Sequence, residues 1–192
     1  MLGNEPVVDT GAGKSYGLEL LFQQKLTKNF YGVLAYTYFF SEFSRAQGPV
    51  LPTVWDSRHL LSFTGGYKLK RNWEISMRYR YAGQTPYVPT NVAASLAAYP
   101  RIVLDYSRLG EVTLDTFSQG DLRIDKKWNF KRLSFNFYLE IQNFLAQAIP
   151  QPEEYGLQRN ADGTEIQPRS LVLIDTNRSE TPLPSFGFVF DF

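Results

Sequence analysis

The chain has 192 residues and sets 20 basic against 19 acidic side chains, so its charge gives no electrostatic case for a nucleic-acid partner. It has no cysteine and one histidine, His59, which excludes disulfides, thiolate metal sites and every multi-histidine ligand set. It carries 12 Tyr, 15 Phe and 3 Trp while its mean hydropathy is slightly negative, and an alternating barrel wall reconciles the two because one residue in two faces lipid and the next faces water.

No apolar run approaches the roughly 20 residues a membrane helix needs. The first residues, MLGNEPVVDTGAG, have neither the basic region nor the apolar core of an export signal. An outer-membrane protein without such a signal is expected to be a fragment. Residues 9–15, DTGAGKS, invite a phosphate-loop reading through Gly13, Lys14 and Ser15. Val8 stands where the first glycine belongs, and the segment after Ser15 alternates like a strand instead of opening a helix. The stretch therefore reads as a flexible loop entering a strand.

The first strand covers residues 16–25, with Tyr16, Leu18, Leu20 and Phe22 on one face and Ser15, Gly17, Glu19, Gln23 and Lys25 mostly opposite. A short polar turn, Thr27 to Asn29, leads to a second strand over 30–43. There Leu34, Tyr36, Tyr38 and Phe40 face outward and Ala35 and Thr37 inward, and Phe39 breaks the pattern. A loop from Arg45 to Val54 delivers Trp55, Asp56, Ser57, Arg58 and His59. The third strand, 59–69, alternates Leu61, Phe63 and Tyr67 with Ser62, Thr64, Gly66 and Lys68. After the short turn Lys70, Arg71, Asn72, the fourth strand alternates Trp73, Ile75, Met77, Tyr79 and Tyr81 with Glu74, Ser76, Arg78 and Arg80. Trp73 and Tyr81 are then separated by about 20 Å along a membrane normal, at ~3.3 Å per residue and a tilt near 40°. That spacing fits two aromatic girdles, to which Tyr79 also contributes.

A long connection over 82–117 contains Pro86, Pro89 and Pro100, with one or two helical turns expected over 92–98. The fifth strand, 118–128, sets Leu122 and Ile124 against Asp121, Arg123, Asp125 and Lys127. The turn 129–131 leads to a sixth strand, 133–143, with Leu133, Phe135, Phe137, Leu139 and Ile141 against Ser134, Asn136, Tyr138, Glu140 and Gln142. A third long connection, 144–181, includes a hairpin tip at Asn160 to Gly163 and an Asn177-Arg178-Ser179 sequon. The last stretch, 183–192, places Phe186, Phe188, Phe190 and Phe192 at strict period-two spacing, with Gly187, Val189 and Asp191 on the other face.

The connections thus alternate short and long, as periplasmic turns and extracellular loops do in bacterial barrels. The expected fold is all-β: an antiparallel up-and-down transmembrane β-barrel segment of about seven strands. Phe192 then lies on the periplasmic side and the start of the chain outside the cell. The four-Phe ending resembles the C-terminal signal strand that the barrel assembly machinery reads.

Further pieces resemble the TonB-dependent outer-membrane receptors, in particular the branch common in Bacteroidetes. They are Tyr16-Gly17-Leu18-Glu19-Leu20, Gln24-Lys25-Leu26, Tyr36-Thr37-Tyr38, Trp55-Asp56-Ser57-Arg58-His59, Tyr67-Lys68-Leu69, Gly83 to Pro89, Arg123-Ile124-Asp125-Lys126-Lys127, Ile141-Gln142-Asn143 and the ending from Leu183. The resemblance covers nearly all of 1–192 and implies the last third of a barrel of about 22 strands with a plugged lumen. The plug domain, the TonB box and the earlier strands are absent. It implies energy-coupled uptake of a scarce large nutrient, such as an iron chelate, cobalamin or a glycan, across the outer membrane of a Gram-negative bacterium. The implied partners are outer-membrane lipid, the rest of the barrel and its plug, the TonB complex through that plug, and the assembly machinery.

The lumen-facing charges are expected to be Glu19, Glu74, Arg78, Arg80, Asp121, Arg123, Asp125, Lys127 and Glu140, joined by Asp191. A row of mixed sign reads as pairing with the plug and neighbouring strands. It does not read as a glycosidase pair, which needs two carboxyls poised across a cleft. No catalytic residue, cofactor site or metal site is expected, and His59 is read as a loop anchor. The alternatives are a structural or adhesive outer-membrane barrel piece and a soluble β-sandwich binding module.

Overall fold

A computed structural model describes residues 10–44, 48–174 and 180–192. Val8, Asp9, Arg45 and the Asn177-Arg178-Ser179 sequon lie outside the described residues. The strands in chain order are β1 Ala12–Thr27, β2 Phe30–Ser44, β3 Val50–Pro52, β4 His59–Leu69, β5 Trp73–Ala82, β6 Pro86–Tyr87, β7 Val112–Thr113, β8 Phe117–Asn129, β9 Ser134–Gln142, β10 Tyr155–Leu157, β11 Leu171–Leu173 and β12 Leu183–Asp191. One helix, α1 Val92–Ala97, stands where the helical turns were expected, and the Asn91 side chain caps it by accepting from the Ala94 N–H.

Seven strands form one antiparallel meander in the order β1-β2-β4-β5-β8-β9-β12, and β3 adds to β2. Tight turns join β1 to β2, β4 to β5 and β8 to β9. At the first two, Lys28, Arg71 and Asn72 take left-handed backbone conformations, with φ of 56°, 61° and 59°. Such turns match the twist of an antiparallel pair. The other joins are long and carry their own small ladders, β6 with β7 and β10 with β11. The expected hairpin tip forms: the Gly163 N–H donates to the Asn160 carbonyl at 2.9 Å, and Arg159 bridges Glu165 across it.

The register fixes the faces. Leu20 lies opposite Tyr36, Tyr36 opposite Leu61, Leu61 opposite Tyr81, Ile75 opposite Ile124, Ile124 opposite Leu139, and Leu139 opposite Phe186. Residues directly opposite share a face, so the apolar sets of all seven strands merge into one band. The charged sets merge on the other face: Glu74 lies opposite Asp125, Arg78 opposite Asp121, and Arg123 opposite Glu140.

Several readings are corrected. The segment Gly13-Lys14-Ser15 is strand rather than loop, because β2 runs on to Ser44 and supplies partners: Gly13 pairs with Phe43, Lys14 with Glu42 and Ser15 with Ser41. A 3.1 Å ion pair between Lys14 and Glu42 closes this end. The loop after β2 contains β3, and both long connections contain ladders that alternation over two or three residues cannot signal. Phe39 also has its reason. It sits on the charged face opposite Gly17, where a Cβ on Gly17 would stand 2.7 Å from the Phe39 Cβ and 2.8 Å from its Cα. On the same face Tyr31 covers Gly66 and Tyr138 covers Gly187. Each aromatic fills the gap a glycine leaves on the neighbouring strand.

The sheet has no hydrophobic core of its own. Among the described residues the buried apolar side chains are Pro86, Pro89, Leu109 and Leu157, and all four lie in connections. The band is bare: Phe186 is 68% exposed, and Phe188 and Phe190 are each 56% exposed. A β-sandwich needs a second sheet about 10 Å away, and the described residues supply none. Neither do β1 and β12 pair with each other, so the sheet is open at both edges and does not close into a barrel.

Candidate functional site

The charged face is built from one alternating set of positions on the seven strands and is laced into pairs. Arg78 on β5 donates from Nε at 2.9 Å and Nη2 at 2.7 Å to Oδ2 of Asp121 on β8. The other oxygen of Asp121 accepts the Asn143 N–H at 3.0 Å, at the point where β9 leaves the sheet. Asp121 is 5% exposed and thus the most buried of the predicted charges. Towards the short turns, Arg123 grips Asp125 with two 2.8 Å bonds, stands 3.8 Å from Glu140, and lays its guanidinium 3.9 Å from the Tyr138 ring centroid. Asn136 donates to Asp125 at 2.8 Å.

The remaining predicted charges join the same surface. Glu74 accepts from the Tyr31 hydroxyl, Arg80 donates to Gln119 at 2.7 Å, and Lys127 pairs with Asp191 at 3.3 Å. Asp191 also accepts from Ser134 at 3.0 Å. Glu19 lies on the edge strand β1, opposite Thr37 and across the sheet from these pairs. The structure therefore brings together all of the predicted residues but Glu19. In chemical terms the face is a set of satisfied donors and acceptors. Among the described residues no three His, Asp or Glu side chains converge to hold a metal ion.

The predicted girdle residues Trp73, Tyr79 and Tyr81 and the strand phenylalanines Phe186, Phe188 and Phe190 fall on the opposite face. Trp73 stands at the short-turn end of β5 opposite Leu69, and Tyr81 at the loop end opposite Leu61. Tyr79 shares a 3.1 Å hydrogen bond with Ser118. Phe188 packs on Phe135 at 5.7 Å and on Phe137 at 5.4 Å between ring centroids, and Phe190 on Phe135 at 4.9 Å. Phe192 lies just past the end of β12 and is 96% exposed. No described helix is long and apolar enough to cross a membrane, which says nothing about crossing by strands.

A cleft of about 430 Å³ opens at the loop end, between the run Asp56-Ser57-Arg58-His59 and the connection after β5. His59 is held there by a 2.8 Å hydrogen bond between its Nδ1 and the Tyr36 hydroxyl. Arg58, at φ 60°, lies over the Phe40 ring at 4.1 Å. Asp56 is the residue that sequence reasoning passed over. Its side chain is fully buried, Arg58 Nε stands 3.2 Å from Oδ1, and neither oxygen accepts an aligned hydrogen bond. The sequence signal lies in the Trp55 to His59 run, where an acidic residue is followed two positions on by Arg58.

In the connections, the Thr164 hydroxyl and then its N–H donate to Asp162 and hold that carboxyl below the usual range. A hydrogen bond to Glu153 raises the Tyr155 hydroxyl above its ordinary value. Comparison with protein-family models, with curated proteins and with solved structures finds no match.

Proposed function

We propose that this chain is the C-terminal part of the β-barrel of a TonB-dependent outer-membrane receptor, whose whole protein takes up a scarce large nutrient such as an iron chelate, cobalamin or a glycan. The observation that carries the reading is a seven-strand antiparallel meander with one bare apolar face, one charge-paired face and connections that alternate short and long. In water a bare aromatic band of this extent is unfavourable, at about 25 cal/mol for each Å² left exposed. Against lipid it is at rest, and the charged face then meets the lumen and its plug. The open edges of β1 and β12 pair with the missing strands, because unpaired backbone groups in lipid cost several kcal/mol each. On this reading Phe186, Phe188, Phe190 and Phe192 present the assembly signal, lipid is the first partner, and the chain itself catalyses nothing.

A structural or adhesive barrel piece shares the apolar band and is separated by what precedes it in the gene. The test is to sequence the DNA upstream of Met1 and to fractionate cells that express the whole reading frame. A frame encoding a plug domain and further alternating strands, with its product in the outer membrane, supports the receptor. A frame that starts independently, or a product in the soluble fraction, refutes it.

A further inference from the structure

Lys126 occupies a position whose neighbours in alternation, Leu122, Ile124 and Trp128, all belong to the apolar band. It pairs with Trp73 on one side and Phe137 on the other. Its ammonium group stays on that face, 5.2 Å from the Trp73 ring centroid and 5.5 Å from that of Trp128, and donates to the Arg71 carbonyl. A cation held between two indoles at the rim of an apolar band is placed at the depth where lipid phosphates lie.

The surroundings add charge of one sign. The neighbouring short turns read KLKRNW over 68–73 and KKWNFKR over 126–132, with three basic residues in the first, four in the second and no acidic residue in either. Among the described residues the only ion pair any of them makes is that of Lys127 with Asp191. Lys70, Arg71, Lys131 and Arg132 are exposed and lie in the same two turns, within four residues in sequence of Trp73 or Trp128. A neutral partner would leave this mutual repulsion in place, and an anion removes it.

We propose that this rim binds anionic phospholipid from the leaflet facing the short turns, with Lys126 and the exposed cations of the two turns on the phosphate and Trp73 and Trp128 against the upper acyl chain. The assignment rests on the membrane reading above. It adds selectivity for headgroup charge, since each Lys or Arg near an anionic surface strengthens association about fivefold.

The test uses the full chain with Trp55→Phe, so that Trp73 and Trp128 are the only indoles left of the three. It is reconstituted in vesicles of phosphatidylcholine and phosphatidylglycerol, one lipid in five being the glycerol form, with brominated acyl chains on either lipid in turn. Per brominated lipid, phosphatidylglycerol is expected to quench the indoles at least about twofold more strongly. The Lys70→Gln, Arg71→Gln, Lys126→Gln triple variant is expected to bring the two to equality. Equal quenching by both lipids in the unmodified rim overturns the headgroup site and leaves the membrane reading standing. A preference that survives in the triple variant overturns the assignment to these cations, and quenching by neither lipid overturns both readings. The comparison between lipids needs no variant of the rim.

Discussion

Asp121→Ala removes the one predicted charge that is nearly inaccessible to solvent, and its cost follows from two separate losses. The Asn143 N–H, bonded to Asp121 at 3.0 Å in a buried setting, is left without an acceptor, at about 1–3 kcal/mol. The pair with Arg78 is also lost, but that side chain is 50% exposed and rehydrates, so this part is held to about 0.5–1 kcal/mol. The sum is about 1.5–4 kcal/mol. Asp121→Asn keeps an oxygen for Asn143 and gives up mainly the charge, so about 1 kcal/mol is expected. Asp191→Ala, whose side chain is 61% exposed, is expected to leave the urea midpoint close to that of the parent chain. The assay is reversible urea unfolding of the full chain in detergent micelles, with hydrogen exchange at Asn143 as the local readout. An Asp121→Ala variant as stable as Asp191→Ala, or an Asn143 amide equally protected in both, refutes the reasoning.

Gly17→Ala is expected to destabilise by about 1–3 kcal/mol, because backbone atoms of Tyr38 and Phe39 block the new Cβ. Gly187→Ala meets only the outer end of the Tyr138 ring, which can turn aside, and urea midpoints should place it well above Gly17→Ala. Met77→Arg, on the band, is expected to cost about 2–4 kcal/mol for folding into vesicles, whereas Ser76→Arg, on the charged face, costs little; equal costs would contradict the assignment of faces. For Asp162, a carboxyl depressed by Thr164 contributes stability above its unfolded-state value and loses it as pH falls through the lower folded-state value. An NMR titration should place its midpoint below an ordinary aspartate, near 3.9, and Thr164→Val should raise it; an unmoved midpoint removes the role given to Thr164.

Strand order, faces and the alternation of connections were legible because each strand of the meander is nine or more residues long, enough for period two to show through local exceptions such as Phe39, as it does without a break from Trp73 to Tyr81. What escaped depended on the partner strand. Gly13 to Ser15 read as a loop because nothing in those residues shows that β2 is long enough to pair with them. Phe39 looked anomalous because its explanation lies at Gly17 on another strand. The ladders of β6 with β7 and β10 with β11 are too short to leave a period. Asp121 and Asp125 were equally legible as inward charges, yet only the turn after β9 makes Asp121 the buried one, and Asp56 acquires its burial from a connection distant in sequence.

The central claim is that the apolar face of this sheet lies against lipid and the charged face does not. The chain has no cysteine of its own, so single cysteines at successive positions 74–80 of β5 can each carry a spin label in vesicles. Accessibility to oxygen, which concentrates in lipid, is expected to peak at 75, 77 and 79, and accessibility to a water-soluble nickel chelate at 74, 76, 78 and 80. Uniform access to the chelate along β5, or no period of two, would contradict the account.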